Sequence, residues 1–199
     1  MERNVLLRKE GAIMGVYLGI LMIVLTILPL YYFASTTSFW AVIIGPAITG
    51  LLFPLVVAVV LTFQLRKRIG GYWNFREATT SIFTMMLVAT LISSVGGLLF
   101  EKVIDPQMKE RYMRNIQNNT ITYLERMGTD NDDIDEQIEK IDEQIENASK
   151  ESTVGTALKG LVISIIVAFV ISLIFGAIFK KERPVFDQPD EEQETDNLD

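Results

Sequence analysis

GAIMGVYLGILMIVLTILPLYYF, residues Gly11 to Phe33, carries no charged side chain along its whole length. At ~1.5 Å of rise per residue, such a helix covers roughly 33 Å, enough to cross a hydrocarbon core of about 30 Å. Three further stretches read the same way. Phe39 to Leu65 is uncharged, Ala78 to Phe100 lies between Glu77 and Glu101, and Leu158 to Phe179 ends at Lys180-Lys181, with Lys159 placed to snorkel. Inside a bilayer the backbone must satisfy its own hydrogen bonds, and uncharged runs of this length do so as helices. The expected fold is an all-α membrane protein with four transmembrane helices and an extracytoplasmic helical hairpin between spans three and four.

Working outward, the pieces between the spans hold nearly all the charge. Residues 1–10 and the 66–77 connection are basic; the loop 101–157 and the tail 180–199 supply the net charge of −7. Arg3, Arg8 and Lys9, then Arg66, Lys67, Arg68 and Arg76, then Lys180, Lys181 and Arg183 fall on one side of a four-span chain. The positive-inside rule makes that side cytoplasmic, so both termini are expected there, in the inner membrane of a bacterium. The first run is longer than a signal-peptide core and no Ala-x-Ala site follows it, so it is expected to stay as an anchor. Aromatic residues mark the interfaces: Tyr31, Tyr32, Phe33, Phe39 and Trp40 on the outer side, and Tyr72, Trp73 and Phe75 on the inner.

The chain contains neither Cys nor His. That removes thiol nucleophiles, thiolate metal sites, the commonest general base and the commonest metal ligand. An acidic balance argues against nucleic acid as a partner. No Asp, Glu, Arg or His lies within the apolar runs, and the one Lys, Lys159, stands at an end. No catalytic, cofactor-binding or metal site is therefore expected, and an enzyme is disfavoured. Asp130, Asp132 and Asp133 do not complete a calcium loop, because Asp135 stands where glycine is required.

Small residues recur at four-residue spacing: Gly11, Gly15 and Gly19 in span one, Ala89, Ser93 and Gly97 in span three, and Gly160, Ser164, Ala168, Ser172 and Gly176 in span four. Such stripes let helix backbones approach closely where lipid supplies no hydrophobic drive, so these are expected helix-packing positions. Span two carries Gly45, Pro46, Gly50 and Pro54, which signal a kink, or alternatively a broken helix lining a pathway.

The loop has its own pattern. Asp105-Pro106 reads as the start of an amphipathic helix with Met108, Tyr112, Ile116, Tyr123 and Met127 on one face, ended by Gly128. A second helix, Asp132 to Ala148, holds the repeat IDEQIEK–IDEQIEN, which places Ile134, Ile138, Ile141 and Ile145 on a coiled-coil-like seam. A helix this short needs a partner. The preceding helix, a second copy of the chain, or another membrane or periplasmic protein would each serve. In the connection before span three, Gly70-Gly71 ends one helix, and Asn74 with Glu77 forms a capping-box start. The basic residues there suggest either an ordinary anchor or a site for anionic lipid. The tail after Arg183-Pro184 is acidic and nearly devoid of apolar residues, a composition expected to stay unfolded.

RKEGAIMGVYLG before and within span one, GGYWNFREA before span three, EKVIDPQ after it, the acidic helix pair and the closing FKKER together resemble the bacterial family called domain of unknown function 4199, described mainly from Bacteroidota. The resemblance covers roughly residues 5 to 183 and implies an inner-membrane protein of unassigned activity. It lends no catalytic residue. The bare spans, the small-residue stripes and the repeat point to a structural or interaction protein displaying a periplasmic hairpin. The rival is a small transporter or channel built around span two.

Overall fold

A computed structural model describes residues 2–150 and 154–182, all helix apart from short connections and one isolated bridge. Four helices are long and apolar enough to cross a membrane: span one Glu2–Phe33, span two Phe39–Arg68, span three Phe75–Ile104 and span four Leu158–Phe179 within the helix Val154–Phe179. The first three extend beyond the uncharged runs by up to nine residues. Charged turns at the ends, such as Glu2–Glu10 and Arg66–Arg68, continue the helix, and Arg3, Glu10 and Arg68 find ion-pair partners there. Two loop helices, Met108–Met127 and Asn131–Lys150, complete the chain. The part of the acidic tail from residue 183 onward lies outside the described residues.

Span three is the hub. Span one packs along it, and span four packs on its half nearest the basic loop. Gly11, Gly15 and Gly19 make the first contact possible. A Cβ on Gly11 would lie 2.6 Å from the Ser81 carbonyl oxygen, on Gly15 2.5 Å from that of Met85, and on Gly19 2.8 Å from the Ile92 Cβ. The glycine stripe therefore lies directly on the backbone of span three, the close approach that small residues permit between membrane helices.

The buried cluster comprises Leu7, Met14 and Leu18 of span one, Ala58 and Leu65 of span two, Ala78 to Ala89 of span three, and Ala168 and Phe175 of span four. All of these sit in the half of the bundle nearer the basic end. Toward the loop end many large apolar side chains, such as Val24, Leu28, Val95 and Leu99, face outward, as lipid-facing residues do.

Span two is not a simple kinked helix. Between Phe39–Ala47 and Phe53–Arg68 it widens into a π-helical turn, Ile48–Leu52, where the Phe53 N–H reaches the Ile48 carbonyl five residues back. Pro54 has no N–H, and its ring collides with the carbonyl four residues earlier in a regular helix. The wider turn removes that collision. A second π turn, Phe100–Ile104, ends span three.

Candidate functional site

Three places bring the chemistry-bearing residues together. The first is the basic end. After Arg68, Gly70 (φ +99°) and Gly71 (φ +83°) take backbone conformations that disfavour any side chain, and the Gly70 and Gly71 N–H groups close onto the Lys67 and Arg66 carbonyls. That turn sends Trp73 into the protein, where it is only 1% exposed. Trp73 and Lys181 exchange two backbone hydrogen bonds, at 2.9 and 3.1 Å, and the Trp73 indole N–H donates to the Phe179 carbonyl at 2.7 Å. The indole thus caps the end of span four. The Lys181 ammonium lies 5.2 Å over the Tyr72 ring, and Arg3 reaches both the Glu77 carboxylate and the Tyr72 carbonyl. The capping box between Asn74 and Glu77 forms as expected. Trp73 is the exception: it is a buried staple rather than a member of the interfacial belt, because its N–H finds a carbonyl at a helix end that has none of its own.

The second place is an intramembrane cleft of about 340 Å³ between spans two and four, floored by span three. Gly50 and Pro54 line one wall, Ser164 and Ala168 the other, and Ser93 and Ser94 the floor. Its hydroxyls are partly occupied: Ser164 donates to the Gly160 carbonyl at 2.9 Å and Ser93 to that of Thr90 at 3.1 Å. The span-four ladder therefore divides. Ala168 and Ser172 are buried and Gly176 seats the Thr79 hydroxyl, whereas Ser164 faces the cleft and Gly160 has no neighbour within 4 Å among the described residues. In span three Ala89 is buried under Gly19, but Gly97 is open. Its neighbour Gly96 is the position that seats a side chain, that of Ile23. Gly45 likewise takes the ring of Phe33 rather than serving only as a kink, and Pro46 lies one residue beyond.

The third place is the loop. The first loop helix lies across the turn between spans one and two. Asn115 donates to the Phe33 and Thr36 carbonyls at 2.7 and 2.8 Å, Asn119 donates to Thr36 at 3.1 Å, and the Tyr123 ring stacks on Phe39 with centroids 4.0 Å apart. Burial pushes the Tyr112 phenol above its ordinary pKa. Met108 is buried in the same face, but Met127 is exposed because Gly128 turns the chain away from the spans there. Asp105 does not cap the helix, which starts at Met108. Its carboxylate is engaged by the Tyr31 hydroxyl and the Arg111 guanidinium. The two docking asparagines interrupt the apolar pattern of this helix, although positions 108, 112, 115, 119 and 123 form one helical stripe.

The second loop helix folds back on the first. Ile134 is buried, Ile138, Ile141 and Ile145 are half-buried, and Gln117 donates to Asp142 at 3.0 Å. Its outer face presents Asp132, Asp133, Asp135, Glu136, Glu139 and Glu143 to solvent. Lys140, hydrogen-bonded to Glu136 at 2.6 Å, holds that carboxyl below the ordinary carboxylate value, and its own pKa rises in return. Among the described residues no group of His, Cys, Asp and Glu could hold a metal ion.

A family model described as protein of unknown function (DUF4199) matches residues 13–181, and the chain belongs to that family. No curated protein and no solved structure matches it.

Proposed function

We propose that the protein is a non-catalytic interaction protein of the bacterial cytoplasmic membrane, with both termini in the cytoplasm and the loop helices displayed in the periplasm. The observation that carries this reading is the docking of the first loop helix through Asn115, Asn119 and Tyr123. The helix pair is thereby an extension of spans one and two rather than a tethered appendage. A partner held on the acidic face around Glu139 would be fixed in orientation to the membrane spans, and the charge there favours a basic partner surface or a complementary patch on a second copy. The orientation rests on the clustering of Lys and Arg at the end opposite the loop.

The native chain has no Cys, so a single introduced cysteine is an unambiguous probe. Glu139→Cys, crosslinked in native membranes, is expected to capture a discrete product that lipid-facing Val162→Cys does not. Identical crosslinking patterns at the two positions would remove the loop from any role in association. Impermeant thiol reagents added to intact cells are expected to label Glu139→Cys and leave Lys9→Cys unlabelled; the reverse would invert the topology.

A second reading, a small transporter or channel, is favoured by one feature. The π turn of span two lies on the cleft, where Pro54 leaves a helix carbonyl without its usual donor. It predicts water-borne reagent access to cysteines at positions 50, 54, 93 and 164. Protection at all four would end it.

A further inference from the structure

A polar cavity of about 220 Å³ opens at the basic end, beside the N-terminal turns of spans one and three. Asn4 and Arg8 line one side, Asn74, Arg76 and Thr80 the other, with Glu77 at its edge. Its depth follows from the sequence. Arg8 stands three residues before the apolar run that begins at Gly11, and Arg76 two residues before the one that begins at Ala78. The cavity therefore lies where the helices leave the hydrocarbon, at the level of lipid headgroups.

Charge is compensated unevenly around it. Arg3 is paired with Glu77, and Arg68 with Glu10. Arg8 and Arg76, the two guanidinium groups on the cavity wall, have no ion pair or side-chain hydrogen bond among the described residues. The acid in the cavity is already committed: Glu77 faces Arg3 and also accepts the Asn74 backbone N–H at 3.1 Å. The N-terminus of span three is closed by its own capping box, so the attraction does not come from a bare helix end. Asn74 uses its side-chain oxygen on the Glu77 N–H, which leaves its amide donors available, and Thr80 spends its hydroxyl hydrogen on the Arg76 carbonyl. What remains is two unpaired guanidinium groups and the amide donors of Asn4 and Asn74 around one void.

We infer that this cavity binds a phosphate group, and that the phosphate is that of an anionic phospholipid headgroup whose acyl chains lie along spans one and three. Guanidinium groups match phosphate oxygens in pairs and are weakly hydrated, which suits the edge of a bilayer. Anionic lipid also concentrates at the surface to which the basic end is drawn.

The test uses the full chain in a neutral detergent with phosphatidylglycerol and phosphatidylcholine supplied together, and reads retained lipid by native mass spectrometry. Wild type is expected to retain phosphatidylglycerol preferentially. Arg8→Gln/Arg76→Gln is expected to weaken that retention about tenfold or more, the scale of lost hydrogen bonds to a charged group. Lys9→Gln/Lys67→Gln removes the same charge from the same face outside the cavity, and is expected to change retention by less than about threefold, since diffuse surface charge is screened. Asn4→Trp keeps both arginines, fills the void and is expected to weaken retention as well. Inorganic phosphate that displaces the lipid at low millimolar concentration would make a soluble phosphate the ligand instead. Equal losses from the two double variants, or no loss from Asn4→Trp, would overturn the site. Neither arginine holds an ion pair, so the variants are expected to keep the wild-type unfolding midpoint, which is measured alongside.

Discussion

Replacing Gly15 by alanine tests whether spans one and three are in backbone contact. The new Cβ would stand 2.5 Å from the Met85 carbonyl oxygen and 2.8 Å from the Val88 Cβ. Ordinary contact begins near 3.4 Å, so the helices must part by roughly 0.9 Å at this point. A backbone carbonyl cannot rotate aside as a side chain can, and the flanking contacts at Gly11 and Gly19 would loosen with it. Overpacking of this kind costs about 1–3 kcal/mol, and the upper part of that range applies here. Alanine returns up to ~1 kcal/mol through its better helix propensity, which leaves a net loss of about 2 kcal/mol. Gly160→Ala is the matched control. It carries the same propensity gain and meets nothing within 4 Å among the described residues, so its stability should equal or slightly exceed that of wild type. Unfolding in mixed micelles of rising dodecyl sulfate content, followed by far-ultraviolet circular dichroism, gives both values. The two variants should differ by roughly 3 kcal/mol, a figure in which the intrinsic alanine term cancels. A difference under about 0.5 kcal/mol would refute the packing.

Trp73→Phe removes the indole N–H and leaves the Phe179 carbonyl without its donor, so a loss of about 1–3 kcal/mol is expected in the same assay. A variant as stable as wild type would show that the staple is not needed to hold span four. Asn119→Leu withdraws a buried amide from the Thr36 and Asn115 carbonyls, and amide exchange in Met108–Met127 should speed up while that of spans one and three stays unchanged. The Glu136 carboxyl is held low by Lys140, so its pairing persists above the ordinary carboxylate range and is lost only as pH falls through the depressed value. Its titration midpoint, read by nuclear magnetic resonance, should rise toward the ordinary glutamate value in Lys140→Gln and would not move if the pair were absent in solution.

Much of this was legible in the residues because membranes impose one-dimensional rules. An uncharged run of twenty or more residues has few options in lipid, so the spans, their order and the enclosing turns follow from the chain alone. Gly70-Gly71, Asn74-Glu77 and Gly128 announced their turns and caps through local hydrogen-bond chemistry. Positions at four-residue spacing were another matter. Periodicity says which residues share a face; it does not say what stands opposite. Gly97 has the spacing, yet a Cβ there would meet nothing within 4 Å among the described residues, while Gly96, out of the stripe, seats Ile23. Asn115 and Asn119 interrupt an apolar stripe, and their value lies in the carbonyls of a turn some eighty residues away.

The sequence by itself determined a four-span, all-helical membrane protein with a basic end, an acidic helical loop and no charged side chain in the interior of the bilayer, since these follow from hydropathy and length. Tertiary structure alone decided that span three is the hub, that Trp73 staples span four to the basic loop, and that spans two and four leave a cleft between them over span three. It also decided that Arg8 and Arg76 share one cavity. Each of these depends on which helix faces meet, and in lipid that choice is made by shape and by unpaired carbonyls, neither of which is written at any single position.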